Sequence, residues 1–163
     1  MTSGVLITNK LARLWPGGPV AFDLHQYTSL LGLAIAVFHG LILMGDRYIQ
    51  FTLPHVLLPF TAVEYRPLWV GFGQVSLYLL AIVSFSFYVR RKITPRVWRL
   101  IHYLSYLTFI LALAHGIASG TDSSAGWVNA MYWATGGMLL FFSIYRILVV
   151  TLKPHPQTAK QAH

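Results

Sequence analysis

Four apolar runs, each about as long as a membrane-crossing helix, constrain this chain of 163 residues more than any other feature. A helix needs roughly 20 mostly apolar residues to cross the hydrocarbon core of a bilayer. The four runs occupy residues 22–44, 68–89, 97–118 and 127–152. Only 10% of the residues are charged, against about 25% in soluble domains, so lipid is the expected solvent. The sequence therefore predicts an all-α membrane protein, a bundle of four transmembrane helices.

The four runs divide the chain into three parts. Residues 1–21 are expected to form a cytoplasmic or interfacial N-terminal segment, with a short amphipathic piece at 6–15. Residues 22–152 form the membrane domain, and residues 153–163 form a cytoplasmic tail. The connection after the first span holds an apolar stretch, 51–63, that is too short to cross. Two placements stay open for it: the outer interface, or a lid folded back on the bundle.

Basic residues give the orientation. Segment 90–96, between the second and third runs, is rich in arginine and lysine, and such loops stay in the cytoplasm. Four spans then place both termini inside. Ten of the twelve basic residues fall on that side, leaving Arg47 and Arg66 outside. This pattern fits the positive-inside rule better than a nucleic-acid footprint, and the expected location is a prokaryotic cell membrane with both termini cytoplasmic.

Histidines are the main ionisable residues within the runs, where such residues are costly and are functional candidates. The first span carries His25 and His39, and the third carries His102 and His115. Spans one and three cross in the same direction, so the sequence pairs His25 with His102 at the inner face and His39 with His115 at the outer face. The two levels are about 20 Å apart at 1.5 Å of rise per residue.

The helical phases of these histidines differ. His25 and His39 share a face of an ideal helix to within roughly 40°, whereas His102 and His115 are roughly 140° apart. A bend, a local π-turn, or two sites with different azimuths would each accommodate the second spacing.

Imidazole is the commonest side-chain metal ligand, so each pair could hold one ion or fill both axial positions of a haem iron. Zinc would need two further ligands at each level, and no cysteine or intramembrane carboxylate supplies them. Haem brings four nitrogens of its own. The alternative is that the histidines only hydrogen-bond neighbouring helices, and the depth-matched pairs argue against it.

The spacing of thirteen residues between His25 and His39, and of twelve between His102 and His115, resembles the ferric reductase-like transmembrane domain. That family includes ferric reductases and NADPH oxidases, and the haem-binding membrane subunit of bacterial methionine sulfoxide reductase looks related. The run Trp-Arg-Leu-Ile-His-Tyr-Leu-Ser-Tyr at 98–106 and Ala-His-Gly at 114–116 also resemble bacterial members. The resemblance covers about 22–150. Family members commonly have more than four spans.

This resemblance implies two stacked haem b groups, with His25 and His102 on the inner iron and His39 and His115 on the outer iron. Arg99 at the inner face and Arg47 at the outer face could then pair with haem propionates. The chain shows no dinucleotide-type glycine fingerprint, so an FAD or NAD(P)H domain is not expected in it.

The resemblance therefore implies a di-haem b-type cytochrome subunit of an oxidoreductase, with no catalytic residues of its own. It would carry electrons from a cytoplasmic-side or quinol donor to an outer-face acceptor, and a protein partner or a quinone would supply or accept them. Two alternatives stay open. One is a non-catalytic haem-bearing subunit that anchors a larger respiratory or photosynthetic complex. The other is a proton or metal transporter using histidine relays, which needs acidic partners, and Asp23 and Asp46 lie only at the edges of the first span.

Overall fold

A computed structural model of the chain describes residues 18–45, 51–63 and 65–152, and these ranges contain helices and no strand. Five helices follow in order: α1 Gly18–Leu43, α2 Leu53–Leu57, α3 Pro67–Val89, α4 Pro95–Ser119 and α5 Gly126–Thr151. All of them except α2 are long and apolar enough to cross a membrane. The predicted all-α class with four candidate membrane spans is therefore confirmed for the described part of the chain.

The helix boundaries fall close to the predicted ones because proline marks the starts. Pro67 and Pro95 open α3 and α4, where a residue without an N–H group costs no intrahelical hydrogen bond. The first helix starts earlier than expected, at Gly18, because Pro19 lies in its first turn and does not interrupt it. Residues 18–21 therefore belong to α1 and not to a separate N-terminal segment. The predicted piece at 6–15 and the tail at 153–163 lie outside the described residues.

The distribution of side chains is the reverse of that in a soluble protein. Large apolar residues on every long helix are exposed, among them Phe38, Phe85 and Phe141. Several polar side chains are buried: Gln74, Ser76, Ser84, Ser86 and Thr108. Three of the buried hydroxyls donate to carbonyls of their own helix, as the Ser76 hydroxyl does to the Gly73 carbonyl at 2.7 Å. Apolar surface outside and hydrogen-bonded polar groups inside are the properties of an integral membrane protein.

The described residues form two compact units, one containing 18–25 and 133–152 and the other containing the described residues between 26 and 132. Within the second unit, α3 and α4 pack closely along their length. Small and hydroxyl-bearing residues of α3 line its buried face, which lets the helix backbones approach each other. Most of the candidate site described below belongs to this second unit.

The apolar stretch 51–63, here called the roof segment, folds back onto α3 in the second unit. Phe51 and Ala62 are buried together with Val70 of α3. Phe60 has a left-handed backbone, with φ of 67°, which is unusual for a bulky residue. Its ring lies against the α3 backbone at Gly71, where any Cβ atom would collide with it. The roof segment is therefore folded back against α3.

Candidate functional site

His39 of α1 and His115 of α4 lie together in the second unit. The centres of their rings are 6.3 Å apart, and the ring planes are inclined at 74°. His39 is exposed and His115 is partly buried. In the described residues, α1 and α4 are not closely packed backbone to backbone, so the two imidazoles approach each other across the space between the helices. Both histidines lie at the end of their helix that is predicted to face outward.

The separation of these rings matches two ligands on opposite sides of one metal ion. A metal–imidazole bond of about 2.0 Å, with about 1.1 Å from nitrogen to ring centre, places the two centres about 6.2 Å apart. Two imidazole planes that share such an axis can take any mutual inclination, so 74° is compatible with ligation by both rings. The spacing of the two rings is therefore compatible with one metal ion held between them.

The His115 ring is held by the backbone of α3. Its Nδ1 atom lies 2.9 Å from the carbonyl oxygen of Trp69. A carbonyl can only accept, so the ring nitrogen donates and the proton of the neutral ring resides on Nδ1. The other nitrogen, Nε2, then carries the free lone pair. Histidines that bind metals commonly donate their second N–H group to a backbone carbonyl or carboxylate in this way, which fixes both tautomer and ring orientation.

Gly73 provides the space for the His115 ring. A Cβ atom added at Gly73 would lie 2.7, 2.8 and 2.9 Å from three atoms of that ring, closer than real Cβ contacts. The imidazole therefore lies directly against the α3 backbone, one turn after Trp69. A glycine is needed here because of this close approach and not because of its backbone angles.

The turn that follows His115 is held by several hydrogen bonds within the second unit. The Gly116 carbonyl accepts from the Tyr132 hydroxyl at 2.9 Å and from the Ser123 hydroxyl at 3.0 Å. The Tyr65 hydroxyl donates to the Ser119 carbonyl at 2.8 Å, and the Arg66 guanidinium donates to the Ala118 carbonyl. The Ala118 and Ser119 carbonyls belong to the last turn of α4, where carbonyls lack an intrahelical donor, and the Gly116 carbonyl also accepts from the backbone N–H of Gly120 at 3.0 Å. Arg66 places a positive charge at the negative end of the helix dipole. The segment carrying His115 is thus fixed from three sides.

The two residues of the predicted inner pair, His25 and His102, belong to different compact units. Both are partly buried. His102 stacks on Trp98, one turn earlier in α4, with ring centres 5.4 Å apart and planes inclined at 18°. The Nε1 atom of Trp98 is buried and has no hydrogen-bond partner among the described residues. An unsatisfied donor beside a candidate ligand is where the acidic group of a bound cofactor would find a partner.

The long spacing between His102 and His115 is accommodated without a π-turn, since α4 is regular α-helix over Pro95–Ser119. The two side chains of such a helix leave it in directions roughly 140° apart. Their surroundings differ accordingly: His102 lies against Trp98 of its own helix, whereas His115 lies against α3.

Other residues considered from the sequence lie apart from this arrangement or outside the described residues. Arg99 is exposed in the first turns of α4. Arg47 lies outside the described residues, so its expected role stays a prediction. His55 lies on the roof segment with its ring edge-on to Phe51 at 6.4 Å between centres. In the described part of the chain, no three His, Cys, Asp or Glu side chains converge on one point.

Sequence reasoning did not identify three residues that support His115: Trp69, Gly73 and Arg66. Trp69 acts through its carbonyl, which no side-chain pattern reveals. Arg66 was interpreted as one of two basic residues at the outer face, with no contact assigned. The glycines at 71 and 73, near the start of an apolar helix, carry a signal that could have predicted a close approach of another group to the backbone.

No protein-family model, curated protein or solved structure matches this chain. The resemblance to ferric reductase-like domains consequently stays a hypothesis based on the histidine spacing and the local sequence around it. What the site can do chemically follows from the histidines and their supports: two neighbouring imidazoles, one of them hydrogen-bonded through Nδ1 to a backbone carbonyl, could hold a metal ion between them.

Proposed function

We propose that this chain is a di-haem b-type cytochrome subunit that carries electrons across a membrane. The observation that carries the proposal is the 6.3 Å separation of the His39 and His115 rings, combined with the hydrogen bond from His115 to the Trp69 carbonyl. Among the described residues, this bond through Nδ1 leaves Nε2 on the other side of the His115 ring without a hydrogen-bond partner, so that in the neutral ring it could bind a metal.

The residues of the second unit fit one haem at the predicted outer face. His39 and His115 would supply the axial ligands, the Trp69 carbonyl would orient the His115 ring, and Gly73 would provide the space for it. When bound, haem supplies an iron that takes up and releases one electron at a time. With imidazole on both sides, no coordination position is left for oxygen or another substrate, so the subunit would transfer electrons without bond chemistry of its own.

The second haem is proposed at the other end of the bundle, with His25 and His102 as axial ligands. Support comes from His102 itself, whose ring plane is set by its stack on Trp98. The buried N–H group of Trp98 is a donor suited to a propionate carboxylate, a role that was expected for Arg99. The partners proposed for the subunit are the membrane and a protein or quinone that supplies or accepts electrons.

The proposal predicts two low-spin b-type haems for each chain, six-coordinate in both oxidation states. Two histidine pairs, each able to fill both axial positions, are the physical reason. A pyridine haemochrome assay on the purified protein, normalised to the amount of chain, should give a ratio close to two. Ferrous haem with two imidazole ligands should also not bind carbon monoxide readily. A ratio near zero or near one would contradict the two-haem claim.

The topology gives a second prediction: both termini and segment 90–96 face the cytoplasm. The chain contains no cysteine, so single cysteines can be introduced without background. An impermeant maleimide should label Asp122→Cys, between α4 and α5, in intact cells, and should label Lys92→Cys only after the membrane is opened. The reverse pattern would exchange the inner and outer assignments of both sites while leaving the histidine pairs unchanged.

A further inference from the structure

The roof segment combines two properties that seldom occur together in a water-exposed loop. Between residues 51 and 63 it carries no Lys, Arg, Asp or Glu, and His55 is its only readily ionisable side chain. Five of its large apolar side chains are also exposed by about half or more of their area: Leu53 54%, Leu57 49%, Leu58 56%, Phe60 46% and Val63 74%. An apolar surface of this kind needs an apolar environment.

Backbone carbonyls of the roof segment accept hydrogen bonds from protein groups. A short helix normally leaves its last carbonyls to water. Here the side-chain amide of Gln74 in α3, which has two N–H groups, donates to the carbonyls of His55 at 2.7 Å and Val56 at 2.9 Å, and its nitrogen lies 3.2 Å from the carbonyl oxygen of Leu58. The Tyr78 hydroxyl donates to the Leu57 carbonyl.

The first carbonyl of this run is satisfied as well. The Pro54 carbonyl accepts from the backbone N–H of Leu58 at 2.8 Å, and the Leu58 carbonyl accepts from the Thr61 hydroxyl at 2.7 Å. Five consecutive carbonyls, 54–58, thus each have a donor from the protein. Gln74, the main donor, is only 8% exposed and lies in the middle of the contact between α3 and the roof segment.

We propose that the roof segment is a re-entrant element immersed in the acyl region of the membrane leaflet at the His39–His115 end. In hydrocarbon, each unpaired backbone carbonyl costs several kcal/mol, so irregular backbone persists there only where the protein supplies its partners. The Gln74 and Tyr78 side chains supply these partners, and the exposed leucines then face lipid. A loop in water would need neither protein donors for its carbonyls nor an exposed apolar surface.

The position of the roof segment within the second unit supports lipid as its environment. The Val56 side chain packs on α1 at Gly40, where an added Cβ atom would lie 3.2 Å from it, and Phe60 packs on α3 at Gly71. The apolar surface of the segment is therefore continuous with exposed apolar surfaces of two membrane-spanning helices. A protein partner would also cover apolar surface, and the experiment below distinguishes it.

Site-directed spin labelling tests the proposal on the full chain in lipid nanodiscs. Nitroxides at Leu57→Cys and Val63→Cys report collisions with oxygen, which concentrates in lipid, and with a water-soluble nickel chelate. Phe85→Cys in α3 is the lipid-facing reference, and Asp122→Cys is the water-facing reference. The ratio of oxygen to nickel accessibility at both roof positions should be severalfold above that at 122 and close to that at 85.

Each other outcome overturns the proposal. A ratio like that at position 122 means that the segment lies in water. Low accessibility to both reagents means that protein covers it. A second arm uses Gln74→Leu, which removes the donor to the His55 and Val56 carbonyls; nickel accessibility at Leu57→Cys should then rise severalfold. Ser76→Ala, a buried α3 residue that bonds only its own helix, is the matched control and should leave the ratio unchanged. An unchanged ratio in Gln74→Leu would contradict the role assigned to this amide. None of these readouts depends on haem.

Discussion

Replacing His115 by Ala is expected to remove one of the two proposed haems and to leave the other in place. A haem with two imidazole ligands is rarely retained by one of them, so the outer component should disappear from the reduced-minus-oxidised spectrum. The haem content should fall from about two to about one per chain. The other site lies about 20 Å away by helix rise, far enough to keep its ligands. His39→Ala should give the same loss, whereas His25→Ala and His102→Ala should each remove the other component.

Redox titration of the four single variants tests this pairing. If His39→Ala and His115→Ala lose different components, the ligand assignment proposed for this site is wrong. His55→Ala is the control, because this histidine lies on the roof segment and is expected to leave both spectra unchanged. His115→Gly with added imidazole separates ligation from folding: a free imidazole should restore the lost component if the variant is folded and lacks only its ligand.

The membrane-spanning helices were predictable because their signals are local. An apolar run of sufficient length predicts each span, and Pro67 and Pro95 mark two of the starts. The proximity of His39 and His115 was also predictable. Two helices separated by one helix that crosses in the opposite direction run parallel, so residues at the same depth in them can lie side by side. The first helix starts before the predicted span because Pro19 is compatible with a first helical turn, which the apolar run alone does not indicate.

The support of the site was not predictable because it depends on tertiary contacts. The carbonyl of Trp69 is identical to every other backbone carbonyl until the packing of α3 against α4 places His115 beside it. Gln74 does carry a signal in the sequence, since a polar amide within an apolar span needs hydrogen-bond partners. The sequence does not identify those partners. Only the folded chain shows that its partners are carbonyls of the roof segment.

Gly73→Ala is expected to disturb the site through a single methyl group. That methyl would lie 2.7–2.9 Å from the His115 ring, so the ring must move away from α3 and its 2.9 Å hydrogen bond to Trp69 must lengthen or break. Loss of such a supporting interaction typically lowers metal affinity by about 10–100-fold. Titration of haem into the apoprotein should show a loss of this order for the outer component and little change for the inner one.

The matched control for this variant is Gly32→Ala in α1, where a Cβ atom would meet nothing within 4 Å. Both variants replace a helical glycine by alanine, a change that by itself favours the helix by about 1 kcal/mol. This gain in helix stability is common to both variants and cancels in the comparison, so the difference in their haem affinity reports the contact with His115. Gly32→Ala should retain both haems at wild-type affinity. If Gly73→Ala behaves in the same way, the His115 ring does not lie against α3 in the haem-bound protein, and the support proposed for the outer site is wrong.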